Sequence, residues 1–273
     1  MTNPLLNEKS MSTAVQRTEG TSGWAAPTQT PGQWNAPVTD GPVSQWQGKV
    51  MTASGTASAT LMLLLLLIAS AGVTWMSISE PTPGVVTFPV GWVIGGLIIG
   101  LICAMVSMFK PPLARFLSPV YAIAEGVVVG ALSRAYEAQY NGIVLQAVGA
   151  TLGVFVMMLV LYRTRIIKVT ERSRRIVMGM MMGLMGFYLI SFIFGMFGAM
   201  PSFLTDSSPL GILFSVFVAG LAAYNLALDF DMIEWGERNK MPAYMEWYGA
   251  LSVTITLVWL YLEILRLLSR LRD

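Results

Sequence analysis

Seven apolar stretches, each close to the ~20 residues that a helix needs to cross a bilayer, take up most of residues 58–273. They fall at roughly 58–78, 91–109, 117–136, 142–162, 175–198, 210–230 and 244–269. Hydrocarbon offers no water to a free N–H or C=O, so a span must close its backbone hydrogen bonds within a helix or a sealed barrel. The alternating apolar–polar segments of a barrel are absent, which leaves helices. Proline and glycine punctuate the joins: PTPG (81–84), KPP (110–112), MPS (200–202), SSP (207–209) and MP (241–242). The joins are short, so consecutive helices are expected to be antiparallel neighbours. The fold class expected is an all-α integral membrane protein, a bundle of seven transmembrane helices over 58–273.

The rest of the composition narrows the chemistry. Only 12% of the 273 residues are charged, against about a quarter in a soluble domain. The net charge of +2 is small, and no basic run is interleaved with aromatics, which excludes a nucleic-acid surface. Histidine is absent, so the commonest metal ligand and pH switch are missing and any proton sensing must use carboxylates. The single cysteine, Cys103, lies in an apolar run and reads as a small buried hydrophobe. Residues 1–57 are polar, rich in Thr, Ser, Gly, Pro and Gln, and without an apolar period. They read as a disordered cytoplasmic tail, with no signal-peptide pattern. Trp24, Trp34 and Trp46 recur in it. They read as isolated aromatics, though a tail of this kind could contact a membrane protein partner.

Lys and Arg set the expected orientation. The join at 163–175 holds Arg163, Arg165, Lys168, Arg172, Arg174 and Arg175. Lys49, Lys110, Arg115, Arg238 and Lys240 fall on the same side if the N-terminus is cytoplasmic, whereas the opposite joins offer only Arg134. Arg266, Arg270 and Arg272 then lie outside, against the bias. Exporting the six-charge join would be the worse violation, so N-in and C-out is expected.

Pairs of small residues four apart, Gly96/Gly100, Gly126/Gly130, Gly149/Gly153 and Gly179/Gly183, let helix backbones approach in lipid. Together they favour a compact bundle. The run Met178, Met180, Met181, Met182 and Met185 reads as gap-filling packing, not as a soft-metal path.

Acids inside the spans carry the candidate chemistry. Glu125 is the one charge in LSPVYAIAEGVVVGALS (117–133). A carboxylate at the centre of a span costs roughly 2.5–3.5 kcal/mol on insertion scales, so it is expected to face a partner, a cavity or water. In NLALDFDMIEWGER (225–238), Asp229 and Asp231 are two apart and point in different directions on a helix. Asp229 is the deeper and the better internal candidate; Asp231, Glu234 and Glu237 read as a solvated helix end. In the last span Ser252, Thr256, Trp259 and Glu263 follow one helical stripe. Arg266 follows Glu263 by three residues and can pair with it.

These residues carry a resemblance. EGVVVGALS (125–133), LDFDMIE (228–234) and LYLEILRLL (260–268) resemble the Bax inhibitor-1 family, also called the transmembrane Bax inhibitor motif family. The ending EWYGALSVTITLVWLYLEILRLL (246–268) is similar to its bacterial branch, which implies a bacterial plasma membrane. The resemblance spans about 58–273. It implies helices packed around a central last helix, and a pH-sensitive calcium leak in place of an enzyme. In the family a pair of aspartates on spans six and seven shares a proton, and an early acid pairs with an arginine near the C-terminus as a latch. Matched by position, Asp229 takes the span-six aspartate, Glu125 the early acid and Arg266 the arginine. The span-seven aspartate position falls on Thr256, which cannot share a proton as a second carboxylate would. Glu263 lies two turns further on, about 10 Å away, too far to replace it.

The function expected is therefore a cation leak gated by intramembrane carboxylates, with Asp229, Glu125, Thr256 and Glu263 along the path and Arg266 with Glu125 as latch. Ionised, Asp229 would be a transient hard ligand for a passing calcium ion; protonated, it would bond a neighbour such as Thr256 and close the path. No resident cofactor is expected. The alternative is an interaction protein that modulates a membrane protease or another membrane complex through its tail. An intramembrane hydrolase is disfavoured by the missing histidine and by the absence of the YD and GxGD contexts of aspartyl proteases.

Overall fold

The computed structural model describes residues 50–82, 85–87, 90–198, 201 and 206–273, with side chains of 80–82 and 85–87 excepted. Residues 1–49 of the expected tail 1–57, with Trp24, Trp34, Trp46 and Lys49, lie outside the described residues. Seven α-helices form among the described residues: α1 (Ala53–Ser77), α2 (Val90–Phe109), α3 (Ala114–Gln139), α4 (Ile143–Arg163), α5 (Glu171–Met196), α6 (Pro209–Arg238) and α7 (Met245–Arg272). Each is long and apolar enough to span a membrane. A two-stranded antiparallel ribbon, β1 (Ser79–Thr82) and β2 (Val85–Thr87), joins α1 to α2.

The helices overrun the apolar stretches because caps and ion pairs, not hydropathy, set their ends. Thr170 and Ser173 form a reciprocal capping box that starts α5 at Glu171. The Ser208 hydroxyl accepts from Gly211 N at the start of α6. At its other end α6 runs to Arg238, because its acids find basic partners: Asp231 pairs with Arg174 at 2.8 Å and Glu234 with Arg165 at 2.5 Å. Asp231 and Glu234 are thus tied to the basic α4–α5 join and are not simply solvated. Between α3 and α4 the chain turns in a few residues. Gly142 takes a left-handed φ of 76°, and the Glu137 carboxylate accepts from Gly142 N at 2.6 Å and Val144 N at 3.1 Å.

The boundary at residue 57 is corrected. Residues 50–57 are not tail. Val50 bridges Pro242, and Met51 N donates to Met241 O at 2.7 Å. Thr52 caps α1 while its own N–H and hydroxyl donate to Glu246 Oε1 at 2.9 and 2.8 Å. Glu237 Oε1 accepts from Ala53 N at 3.0 Å. Two carboxylates at a helix N-terminus are favoured by its orphan N–H groups and its dipole. Met51 is 2% exposed, lodged where Gly236 and Gly249 lack side chains.

The last helix is central. α7 packs against α1, α3, α4 and α6, while α2 lies outside on α3 and α5 outside on α6. The core is built on Leu257, Leu260, Ile264 and Leu265 of α7 with Leu63, Leu226 and Ile143 from its neighbours. The small-residue pairs divide. A Cβ on Gly126 would meet the Leu67 carbonyl at 2.6 Å, one on Gly130 the Ala71 carbonyl at 2.5 Å, and one on Gly96 the Ala124 carbonyl at 2.7 Å. Here α3 is gripped by α1 on one side and α2 on the other, and Ser70 Oγ donates to Ile123 O at 2.7 Å. Among the described residues nothing lies within 4 Å of such a Cβ at Gly149, Gly153, Gly179 or Gly183, so these pairs mark no helix contact there. Spacing alone cannot distinguish the two cases, because the partner helix decides.

At the end of the bundle away from the basic α4–α5 join, Arg270 donates to Gly211 O and to Ser215 Oγ at 2.9 Å. Arg272 donates to Asn141 O and Gln146 Oε1, both at 2.9 Å. These arginines hold the last turns of α7 against α4 and α6, a structural use for charges that run against the orientation bias. The Tyr140 hydroxyl, then Ser207, hold the exposed Asp273 carboxyl below the usual carboxylate range.

One substitution should therefore act with opposite sign at two glycines. Gly130→Ala is expected to destabilise the folded protein by about 1–3 kcal/mol, the usual cost of overpacking. Gly149→Ala is expected to be neutral or stabilising by up to about 1 kcal/mol, through helix propensity. Thermal unfolding in detergent reads both.

Candidate functional site: a buried carboxylate between the last two helices

Asp229 sits nine residues before the end of α6, about 14 Å along a helix rising 1.5 Å per residue, and two residues inside Asp231, where the charged end of the helix begins. It is 5% exposed. Ser252 Oγ donates to its Oδ1 and Thr256 Oγ1 to its Oδ2, both at 2.6 Å. Asn225 Nδ2 donates in turn to Thr256 Oγ1 at 2.9 Å. Asn225 and Asp229 are one turn apart on α6, Ser252 and Thr256 one turn apart on α7. Two i, i+4 pairs therefore face each other and make a four-residue polar cluster inside an apolar bundle. All these partners of Asp229 are uncharged. An oxygen–oxygen distance of 2.6 Å is met whether the hydroxyl or a protonated carboxyl donates. To carry a proton the carboxyl must instead donate, and the half-buried Ser252 is the hydroxyl with more room to turn. Thr256 is 2% exposed and already accepts from Asn225.

Glu263, two turns along α7, is a separate site. It is 3% exposed, and Arg266 Nη1 donates to its Oε1 at 2.9 Å. Arg266 also reaches the Tyr188 hydroxyl of α5 at 3.4 Å. No hydrogen bond joins Glu263 to Asp229 among the described residues.

Glu125 is half-buried in the seam between α2 and α3, beside Tyr121 and the gap left by Gly100, where a Cβ would stand 3.1 Å from its Oε2. Among the described residues it makes no ion pair, and the latch to Arg266 is not formed. The helix register explains why. Ser118 Oγ donates to Trp247 O at 3.3 Å, and Ser133 Oγ lies 2.7 Å from the Tyr261 hydroxyl. α3 and α7 thus run side by side with Glu125 level with Val253 and Thr254. Arg266 is twelve residues further on, about 18 Å. Glu125 and Asp229 share a depth but occupy different seams. Among the described residues no three His, Cys, Asp or Glu side chains converge on a metal position.

The comparisons bear on this arrangement of seven spans around a polar α6–α7 contact. The family model described as Bax inhibitor 1 like matches residues 3–273. The chain belongs to the Bax inhibitor 1 like family. The match takes in the N-terminal residues that the resemblance left out. No curated protein matches the chain.

Within this family frame, Thr256 stands opposite Asp229 where the resemblance places a second aspartate. It meets the carboxylate with a hydroxyl. Ser252 and Asn225, the other members of the cluster, were not singled out as its partners from sequence. Ser252 was visible on the α7 stripe, and Asn225 carried a signal in its i−4 spacing from Asp229. The Glu237 and Glu246 caps on α1 carried none, because their partners lie 184 and 194 residues away.

Two measurements probe the geometry. Thr256→Val keeps shape but removes the donor to Asp229 and the acceptor for Asn225. It is expected to destabilise the protein by about 1–3 kcal/mol, the cost of a buried polar group left unsatisfied. Arg266→Leu alone strands a buried Glu263 and should lower the unfolding temperature more than Glu263→Gln with Arg266→Leu together.

Proposed function

We propose that this chain is a pH-sensitive leak for calcium or a similar hard cation, gated by Asp229 at the α6–α7 contact. The observation that supports it most is one carboxylate enclosed by the bundle and met by hydroxyls, with no charged partner among its hydrogen bonds. Such a group is costly to keep in a membrane and is retained for a task. Ionised, its oxygens with those of Ser252, Thr256 and Asn225 offer a passing cation the hard ligands it needs, with water completing the shell. Protonated, it loses its charge and the contact closes as a neutral hydrogen-bonded cluster. Opening requires α6 and α7 to part at Thr256. Glu263 stands further along α7, where the Arg266 guanidinium occupies the route. Glu125, in its own seam, acts on the packing of α3 and does not line this path.

In this reading the N-terminus and the basic α4–α5 join face the cytoplasm, and the membrane is a bacterial plasma membrane. A second reading, a modulator of a membrane complex that docks through its N-terminal tail, draws on the family match reaching back to residue 3. Removing residues 2–49 keeps Val50–Thr52 and separates the two, because a leak should persist and an adaptor should lose its partner.

Calcium flux into liposomes carrying the purified protein tests the gate. Wild type should pass more calcium as pH rises and Asp229 ionises. Asp229→Asn, neutral at every pH, should give low flux with a flat profile. Wild-type flux and pH dependence in that variant would overturn the assignment.

A further inference from the structure

Two helices long enough to cross the membrane, α4 and α5, are joined by residues 164–170 alone, so the join lies at the membrane surface. Its backbone is ordered. Thr164 N donates to Val160 O at 2.8 Å and Ile167 N to Leu161 O at 3.1 Å, with Arg165 in the left-handed region at a φ of 60°. The Thr170–Ser173 capping box then starts α5. Ile167 and Val169 pack onto the core. The alternation turns their neighbours outward: Lys168 is exposed and Ile166 is 70% exposed.

The cations of the join have two fates. Arg165 and Arg174 are engaged by Glu234 and Asp231 of α6, at 2.5 and 2.8 Å. Arg163, Lys168 and Arg172 are exposed and enter no ion pair among the described residues. Arg175 is exposed beside them, its Nε turned to Glu171 O at 3.4 Å. Glu171 is the one acid in the segment 163–175. The join therefore presents a surplus of positive charge on a fixed backbone.

The chemistry between the cations selects the occupant. A single-stranded nucleic acid would want aromatic side chains among them, and 163–175 contains none. A soluble acidic partner would use the cations and leave Ile166 in water. Ile166, with Ile176 of α5 at 52% exposure, instead matches the boundary between headgroups and acyl chains, where apolar side chains sit beside lysine and arginine. Guanidinium and ammonium groups at that depth meet phosphate oxygens.

We propose that the outward face of the α4–α5 join binds the phosphates of anionic phospholipids in the adjacent leaflet, through Arg163, Lys168 and Arg172, with Ile166 seated among the first acyl carbons. The site is independent of any ion path. The lipids held there abut the Arg165–Glu234 and Arg174–Asp231 pairs, so the charged end of α6 is tied to the membrane surface.

Native mass spectrometry of the full chain in detergent, titrated with phosphatidylglycerol or phosphatidylcholine, tests the proposal. Wild type should retain phosphatidylglycerol in preference to phosphatidylcholine. Lys168→Gln should weaken phosphatidylglycerol binding about fivefold, the contribution of one basic residue near an anionic surface. Adding Arg163→Gln and Arg172→Gln should weaken it about as much again at each step. Ile166→Ser keeps the charge and should still weaken it severalfold. Arg115→Gln removes a charge at the same end of the bundle, away from the join, and should change little. Glycerol 3-phosphate in excess carries the phosphate without acyl chains and should not displace the lipid. The substituted side chains are exposed and outside the ion pairs, and the thermal unfolding temperature checks that each variant folds; Lys168→Gln alone decides should the triple variant not fold. Equal retention of the two lipids by wild type, undiminished binding in Lys168→Gln, or an equal loss in Arg115→Gln would each overturn the proposal. So would displacement by glycerol 3-phosphate or wild-type binding in Ile166→Ser, either of which would assign the surface to a soluble acidic partner.

Discussion

A polar group inside a bilayer has no water to fall back on, and α7 is the helix on which this constraint bears hardest. It is the most enclosed span, yet it carries Ser252, Thr254, Thr256, Glu263, Arg266 and Arg270. Each is answered from within the bundle: Ser252 and Thr256 by Asp229, Thr254 by its own Ala250 carbonyl, Glu263 by Arg266, Arg270 by Gly211 and Ser215. These contacts fix how α6 is rotated and at what height it stands against α7. The apolar core then fills in around a register that the polar residues have already chosen. Leucine against leucine would tolerate many registers; Asp229 against Ser252 and Thr256 tolerates one.

The second support is the close approach of α3 to α1 and α2. Gly126 and Gly130 bring the α1 backbone to contact distance, and Gly96 does the same for α2. Lipid tails are as apolar as leucine, so helices gain from meeting only where surfaces fit closely. α5 shows the opposite condition. Gly179, Gly183 and Gly186 meet no described neighbour, and the helix is held by the Arg174–Asp231 pair and by Phe187 and Tyr188 meeting Phe214 edge-on.

The spans and their number were legible in the sequence because the bilayer imposes one length on every crossing segment. The burial of Asp229 was legible too, from its place inside Asp231 on the helix, whereas its neighbour Thr256 came from the resemblance, which sets that position opposite it. Local spacing also favours Glu263 with Arg266, three residues apart, over Glu125 with Arg266, and α3–α7 register settles it that way. What could not be read is what depends on contacts distant in the chain. The start of α1 at Ala53 is fixed by Glu237 and Glu246, and which glycine pairs make contact is fixed by where α1 and α2 come to lie.

The segment Val50–Thr52 has a mechanical consequence. It is stitched to Met241 and Pro242, the bend joining α6 to α7, and to the carboxylates on either side of that bend. Traction on the chain ahead of Val50 is delivered at this bend, and the two arms leaving it are the ones that meet at Asp229 and Thr256. The amino-terminal end of the polypeptide is in series with that contact, so a load borne there is felt between the last two helices.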